Sequence, residues 1–145
     1  MKKWGIVLIS LLAFSGYTDT VQNYMQISAN IPAMELKPNP KAQAWARSAR
    51  DILLSTDETI VETVLAMNRL ASEKGTPFFC LPENVELNPK AMDLLIQETY
   101  KARMKASNKV QAMPVSEVAV FGLLERYPCV LQPGVSKQTA MGAGS

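Results

Sequence analysis

Cys80 and Cys129 are the two cysteines of the chain, and their thiols are the side chains with the most obvious chemistry. Thiols can be reactive, bind a metal or pair as a disulfide. The chain has no histidine, which excludes imidazole as a base, an acid or a metal ligand. In an exported chain, an even cysteine count predicts one disulfide between Cys80 and Cys129, with two buried free thiols as the alternative.

The first residues predict export. Lys2 and Lys3 precede an apolar run from Trp4 to Phe14, and small residues follow around Ser15. This is the pattern of a secretory signal peptide, so we expect residues 1–15 to be removed by cleavage near Ser15. A membrane anchor is the alternative, but a membrane span needs roughly 20 apolar residues. We therefore expect an exported mature chain without a stable membrane anchor.

Charge and composition exclude several classes of function. Removal of Lys2 and Lys3 leaves thirteen basic and thirteen acidic residues, so a nucleic-acid partner is not expected. No glycine precedes a Lys-Ser or Lys-Thr pair, as a phosphate loop requires. Glu83 and Glu86 could form an acid–base pair, but an exposed turn does not favour one carboxyl group holding its proton. We expect no enzyme activity, no cofactor and no metal.

Helical signals dominate the rest of the chain. Residues 16–39 contain Pro32 and Pro38, and Pro40 follows them, which predicts a short helical or extended piece around Thr20 to Ser28 and then a linker. Asn39-Pro40 and Asn88-Pro89 are helix starts, because Asn can cap and Pro is tolerated at the first position. Ser55 to Glu58 has the form of a capping box and predicts a second start, where Asp57 and Glu58 stabilise the positive end of the helix dipole.

The apolar periodicity then predicts four helices within one domain, residues 40–129, with residues 130–145 as a disordered tail. These helices are Pro40 to Leu54 with Trp45, Ala49, Ile52 and Leu53 on one face, Thr56 to Lys74 ending at Gly75, Pro89 to Ser107, and one from Pro114 to about Tyr127. Ile60, Val64, Met67 and Ala71 form one apolar row of the second helix, and the last helix is apolar enough that nearly all of it should be buried. Gly122 inside the last helix costs about 1 kcal/mol unless a neighbouring helix approaches closely there. The fold class is all-α, a small bundle of about four helices closed by one disulfide.

The stretch FFCLPENVELNP joins the second and third of these helices. Its aromatic residues and cysteine are explained by architecture, with Phe78 and Phe79 filling the base of a helical hairpin and Cys80 clamping it. The exposed neighbours Glu83, Asn84 and Glu86 are then the candidate partner-binding residues.

The segment from Phe78 to Cys129 resembles the Rap/Tai family of immunity proteins of bacterial type VI secretion. The matching pieces are Phe79-Cys80-Leu81-Pro82-Glu83, the helix after Asn88-Pro89, Met113-Pro114 and the closing Leu123-Leu124-Glu125-Arg126-Tyr127-Pro128-Cys129. The N-terminal half departs from the pattern, because it lacks the further cysteines and the glycine-rich stretch common upstream in that family.

The resemblance implies a periplasmic protein that binds and neutralises a cognate secreted effector, often a peptidoglycan-degrading amidase. Two alternatives remain: a periplasmic acid-stress holdase, and a structural subunit of an envelope assembly. Symmetric dimers are common among small helical proteins, so we expect a homodimer and a monomer equally.

Overall fold

The computed structural model describes residues 19–129, and within them the fold is all-α, as the sequence predicts. Its elements in chain order are α1 (Val21–Glu35), α2 (Pro40–Glu73), α3 (Pro89–Met104), a 3-10 helix (Asn108–Ala112) and α4 (Val115–Arg126). The number of α-helices agrees with the prediction, but the prediction divides α2 into two helices and does not include α1 as a full helix. Residues 1–15 and 130–145, read from the sequence as a signal peptide and a tail, lie outside the described residues.

The first difference is α1, which runs through Pro32 where the sequence predicts a linker. Proline inside a helix removes one backbone hydrogen bond and costs about 3 kcal/mol in isolation. Here Val21, Tyr24 and Ile31 are buried on the helix face that packs against the rest of the bundle. That burial offsets the cost of Pro32, so tertiary packing overrides the local signal.

The second difference is that α2 is one helix of 34 residues, and the capping box predicted at Ser55 to Glu58 is wrong. The hydroxyl of Thr56 donates to the Ile52 carbonyl, and the hydroxyl of Thr59 donates to the Ser55 carbonyl. Hydroxyl groups that bond back to the preceding turn allow Ser and Thr to lie inside a helix. Because no Gly or Pro interrupts residues 41–73, nothing else ends the helix there.

The predicted ends of α2 and the start of α3 are confirmed. Asn39 caps α2 by accepting from the Lys41 amide, and Gly75 follows the helix with a positive φ of 77°. Asn88 caps α3 by accepting from the Ala91 amide. These local signals involve only neighbouring residues, which is why the sequence alone is sufficient to predict them.

The beginnings of α1 and α4 are joined by backbone hydrogen bonds. The Val21 amide donates to the Met113 carbonyl at 2.9 Å, and the Val115 amide donates to the Asp19 carbonyl at 3.2 Å. The two pairs form an isolated antiparallel bridge between Thr20 and Pro114. The N-terminal end of the described chain is therefore held against the start of the last helix.

Helices α3 and α4 pack closely at Gly122, as the sequence analysis requires. A Cβ at this position would meet the Thr99 hydroxyl and would lie 2.9 Å from Leu95 Cγ. Beside this contact, the Arg103 guanidinium lies 4.0 Å from the centre of the Phe121 ring. Only a glycine permits this approach of the two helices.

The buried side chains form one core that all four helices share. Its largest fully buried members are Tyr24, Met92, Ile96, Leu123, Val21 and Val118. No helix among residues 19–129 is long and apolar enough to cross a membrane.

Candidate functional site

The disulfide predicted from the cysteine count is present between Cys80 and Cys129, whose Cα atoms lie 4.9 Å apart. The adjoining backbone is also paired, since the Cys80 amide donates to the Tyr127 carbonyl at 2.9 Å. The bond joins the loop before α3 to the residues after α4, and it closes a loop with a sequence separation of 49. The alternative of two free thiols is wrong.

The loop that carries Cys80 is anchored to α2 by Asn68. The Asn68 side chain accepts from the amides of Phe78 and Phe79, and it donates to the Phe79 carbonyl at 2.9 Å. Phe79 is buried, as predicted, but Phe78 is 55% exposed, so the prediction that both aromatics fill the base of the hairpin is wrong for Phe78. The anchoring by Asn68 turns the Phe78 ring outward.

The candidate partner-binding residues Glu83, Asn84 and Glu86 lie on an exposed turn just after Cys80. The turn is closed by the Val85 amide, which donates to the Pro82 carbonyl at 3.0 Å. The side chains of Glu83, Asn84 and Glu86 are exposed to solvent. That they bind a partner remains a prediction.

An apolar groove runs between the second half of α2 and α4, and we call it the α2–α4 groove. It consists of two adjoining cavities of about 570 Å³ and 130 Å³ that share Val64, Met67 and Val120. Its lining residues are Thr59, Ile60, Thr63, Val64, Met67, Phe78, Phe79, Pro114, Ser116, Glu117, Val120, Leu123 and Leu124. Among these residues Glu117 is the only one with a charge.

The walls of the α2–α4 groove are exposed as well as apolar. Met67 is 53% exposed, and Phe78, Val120 and Leu124 are exposed beside it. The sequence places Met67 in the row of Ile60 and Val64, and it predicts that nearly all of α4 is buried; both predictions are wrong at the groove. The reason is that α4 covers only one edge of this face of α2. Contiguous exposed apolar surface of this kind marks binding sites in soluble proteins.

Trp45 and Ile52 also differ from the prediction that they lie on the buried face of α2. They are 41% and 56% exposed, whereas Ala46, Ala49 and Leu53 are buried. The buried face is rotated relative to the predicted one because α1 packs against small residues, with Ala46 fully buried. Helix periodicity alone does not distinguish these two adjoining faces.

A second feature, which the sequence analysis missed, is a buried polar cluster of Tyr24, Asp57 and Asp93 that joins α1, α2 and α3. The Tyr24 hydroxyl oxygen lies 2.6 Å from an Asp93 carboxyl oxygen and 3.0 Å from an Asp57 carboxyl oxygen. Gln97 donates to the Asp93 carboxylate from the next turn of α3. The sequence analysis assigned Asp57 to the stabilisation of a helix N-terminus, and this assignment is wrong because Asp57 lies inside α2 and is buried.

Burial controls the protonation of this cluster. Burial raises the pKa of Asp57 to about 7; the hydrogen bond with Tyr24 opposes that shift, and the nearby charge of Asp93 adds to it. Burial also raises the pKa of the Tyr24 phenol far above its usual value, and the hydrogen bond to Asp93 acts in the same direction. Near neutral pH, Tyr24 is therefore a neutral phenol, and the carboxyl group of Asp57 is protonated in part of the molecules.

The proton count explains how both carboxyl groups bond to one hydroxyl. A phenol has a single hydrogen, so Tyr24 can donate to only one carboxyl group at a time. The shorter distance assigns that hydrogen to Asp93. Asp57 then completes the cluster when it is protonated, because its own hydroxyl can donate to the Tyr24 oxygen.

The polar cluster borders a cavity of about 400 Å³ between α1, α2 and the start of α3. Arg50 and Lys90 also line this cavity, and Arg50 forms an ion pair with Glu35, the last residue of α1. Within residues 19–129 no group of three or more Asp, Glu, Cys or His could hold a metal ion. The carboxyl groups of Asp57 and Asp93 bond to Tyr24, so the cluster joins α1 to α2 and α3.

No family model, no curated protein and no solved structure matches the chain.

Proposed function

We propose that the protein is a periplasmic immunity protein that binds and neutralises a cognate secreted effector. The observation that carries this proposal is the α2–α4 groove, where the exposed side chains of Met67, Phe78 and Val120 line one apolar depression. The effector class is taken from the resemblance of residues 78–129 to the Rap/Tai family, and it includes peptidoglycan-degrading amidases of type VI secretion.

The chemistry of the α2–α4 groove favours a protein partner. Two helices form its walls, and its lining combines apolar side chains with the hydroxyls of Thr59, Thr63 and Ser116. Grooves of this kind bind an amphipathic helix through apolar residues spaced three and four apart. Glu117 at one end of the groove would pair with a Lys or Arg of that partner.

The acidic turn extends the same surface. Glu83 follows Phe78 by five residues, so the turn begins within about 18 Å of the groove even if the chain between them is fully extended. We propose that Glu83, Asn84 and Glu86 contact the effector at the edge of the interface. Charges at such a rim affect the association rate and specificity more than the final affinity.

The acid-stress holdase is less well supported than the immunity protein. A holdase of that type unfolds when its carboxylates are protonated. Protonation of Asp57 has the opposite effect, because the raised pKa means that the folded state holds this proton more tightly than the unfolded state does. Nothing in the described residues specifically favours a structural subunit of an envelope assembly.

The test is a competition between sibling strains. A deletion of this gene should make the strain sensitive to attack by its parent, and the wild-type gene should restore survival. Met67→Glu should fail to restore it, whereas Ile52→Glu should restore it, because Ile52 is similarly exposed at 56% on the same helix but does not line the groove.

Two results would decide against parts of this proposal. Equal survival of the deletion strain and the parent would refute the immunity function. Restoration by Met67→Glu would refute the role of the groove, provided that the variant accumulates to the wild-type level. A Glu83→Lys, Glu86→Lys variant then reports whether the acidic turn contributes to protection.

A further inference from the structure

The cavity between α1, α2 and the start of α3 brings together apolar walls and charged groups of both signs. Its volume is about 400 Å³, which lies within the range of about 300–1,000 Å³ of small-molecule sites. Its apolar wall residues are Ile31 and Pro32 from α1, Leu53 and Leu54 from α2, and Pro89 from α3. Small-molecule sites combine an apolar lining of this kind with a few fixed polar groups.

Asp57 is a buried carboxyl group on the wall of this cavity, and its ionised form lacks a hydrogen-bond donor. Among residues 19–129 its oxygens have one neighbour that can donate, the Tyr24 hydroxyl at 3.0 and 3.1 Å. The single hydrogen of that hydroxyl goes to Asp93 over the shorter distance of 2.6 Å. A buried carboxylate without a donor is costly, and either a proton or an N–H group of a ligand in the cavity relieves that cost.

The donor that fits best is an ammonium group. Asp93 also lines the cavity, and its carboxyl oxygen lies at most about 6 Å from that of Asp57, because both contact the same Tyr24 oxygen. An ammonium nitrogen bonds to carboxylate oxygens at about 2.7–2.9 Å and has three hydrogens to donate. One ammonium group can therefore contact both carboxyl groups from the cavity.

Two basic side chains on the same wall indicate that the ligand also carries a negative charge. Lys90 precedes Asp93 by one turn of α3, a rise of about 4.5 Å, and Arg50 precedes Asp57 by two turns of α2, a rise of about 10.5 Å. Arg50 pairs with Glu35, whereas Lys90 is exposed and takes part in none of the ion pairs within residues 19–129. Lys90 and Arg50 would repel a simple amine, but they attract a ligand that has a carboxylate at its other end.

We propose that this cavity binds a small zwitterion, whose ammonium group donates to Asp57 and Asp93 and whose carboxylate pairs with Lys90. The helix rises place the two charges of the ligand about 5–10 Å apart, so a methylene chain between them would lie against Leu53 and Leu54. The cavity shares no lining residue with the α2–α4 groove. The inference is therefore independent of the proposed effector binding.

Binding at this site should depend on pH through Asp57. The titratable or charged groups beside Asp57 are Tyr24 on α1, Arg50 on α2, and Lys90 and Asp93 on α3. Burial raises the pKa of Asp57 to about 7, so at pH 6 most molecules hold a proton that competes with the ligand ammonium. From pH 6 to pH 8 the affinity should rise about tenfold, because the ionised fraction of Asp57 rises by that factor.

The experiment is a titration of the disulfide-bonded chain with 6-aminohexanoate, followed by methyl NMR at pH 6 and pH 8. The methyl signals of Ile31, Leu53 and Leu54 report on the cavity, and that of Met67 reports on the α2–α4 groove. Hexylamine and hexanoate are the control compounds, since each has a chain of the same length with only one of the two charges.

We expect 6-aminohexanoate to shift the three cavity signals saturably, with a Kd in the millimolar range at pH 8, and to leave Met67 unchanged. Hexylamine and hexanoate should bind at least about fivefold more weakly, because each lacks one charge-assisted contact. At pH 6 the affinity for 6-aminohexanoate should be about tenfold lower than at pH 8.

Two variants assign the contacts. Asp57→Asn keeps the shape of the side chain, and it should weaken binding about tenfold at pH 8 and remove the pH dependence. Lys90→Gln should weaken the binding of 6-aminohexanoate without weakening that of hexylamine, and Lys101→Gln, at an exposed position of the same helix, should change neither. Because Lys90 is exposed, its substitution leaves the fold intact even if Asp57→Asn does not.

Four results would overturn the proposal: no saturable shift of the cavity signals, shifts confined to Met67, equal binding of the singly charged compounds, or an affinity for 6-aminohexanoate that is the same at pH 6 and pH 8. Unchanged binding by Lys90→Gln would overturn the assignment of the carboxylate contact. The experiment contains no effector, so its failure leaves the proposed immunity function standing.

Discussion

Replacement of Asp57 by Asn should make the stability of the protein less dependent on pH. Asn has nearly the same shape as Asp, and its amide can donate to the Tyr24 oxygen as a protonated Asp57 does. Tyr24 then remains free to donate to Asp93 at 2.6 Å. The variant therefore copies the protonated cluster at every pH.

The magnitude follows from the pKa of Asp57, which burial raises from 3.8 to about 7. The folded state binds the proton more tightly, so the stability contribution is fully present below pH 3.8 and is lost as the pH rises through 7. Between pH 5 and pH 8 the wild-type free energy of unfolding should fall by roughly 2–3 kcal/mol through this group alone.

The assay is urea unfolding followed by circular dichroism at several pH values from 5 to 8. The difference in unfolding free energy, Asp57→Asn minus wild type, should rise by roughly 2–3 kcal/mol across this range. Glu58→Gln is the matched control, since Glu58 is the next residue of α2 and is exposed. A difference that stays constant with pH would refute the reasoning, because the substitution would then act through packing and not through a proton.

Three further predictions concern the packing and closure of the fold. Gly122→Ala should destabilise the protein by about 1–3 kcal/mol in the same urea assay, because the new methyl group overlaps Thr99 and Leu95, whereas Gly75→Ala meets no atom within 4 Å and should cost only the strain of its positive φ. Cys80→Ser should lower the unfolding free energy by roughly 4 kcal/mol through loss of the closed loop; a reduced wild-type chain should unfold at the same urea concentration as the variant. Asn68→Ala should cost about 2 kcal/mol, since it leaves the amides of Phe78 and Phe79 without their partner, and hydrogen exchange at these two amides should accelerate.

The features that the sequence predicts well are the local ones and the covalent one. The caps at Asn39 and Asn88 and the stop at Gly75 depend on neighbouring residues alone. The disulfide follows from the cysteine count once export is assumed. Gly122 lowers the helix propensity of α4, and this cost implies that another helix approaches closely there. The sequence could therefore predict the close approach but not its partners, Leu95 and Thr99 of α3.

The features that the sequence does not predict depend on which elements meet. Ser55 to Glu58 has a capping-box pattern, but burial of Asp57 against Tyr24 keeps the helix continuous there. Pro32 in the sequence of α1 predicts that the helix ends early. The burial of Ile31, which favours the longer helix, is seen only in the structure. A carboxylate in the first turn of a predicted helix is explained by its favourable interaction with the helix dipole. No signal in the sequence therefore identifies Asp57 as buried.

The exposed apolar residues of the groove require a separate explanation from those of the core. Periodicity assigns Met67 and Val120 to the buried faces of their helices, yet both are more than 40% exposed. Substitutions at exposed positions usually change stability by less than about 0.5 kcal/mol, so polar residues at both positions would cost the fold little. A role in binding accounts for apolar side chains here better than a role in folding does. Because Met67 and Val120 face each other across one groove with Phe78 at its end, a single bound segment would account for all three.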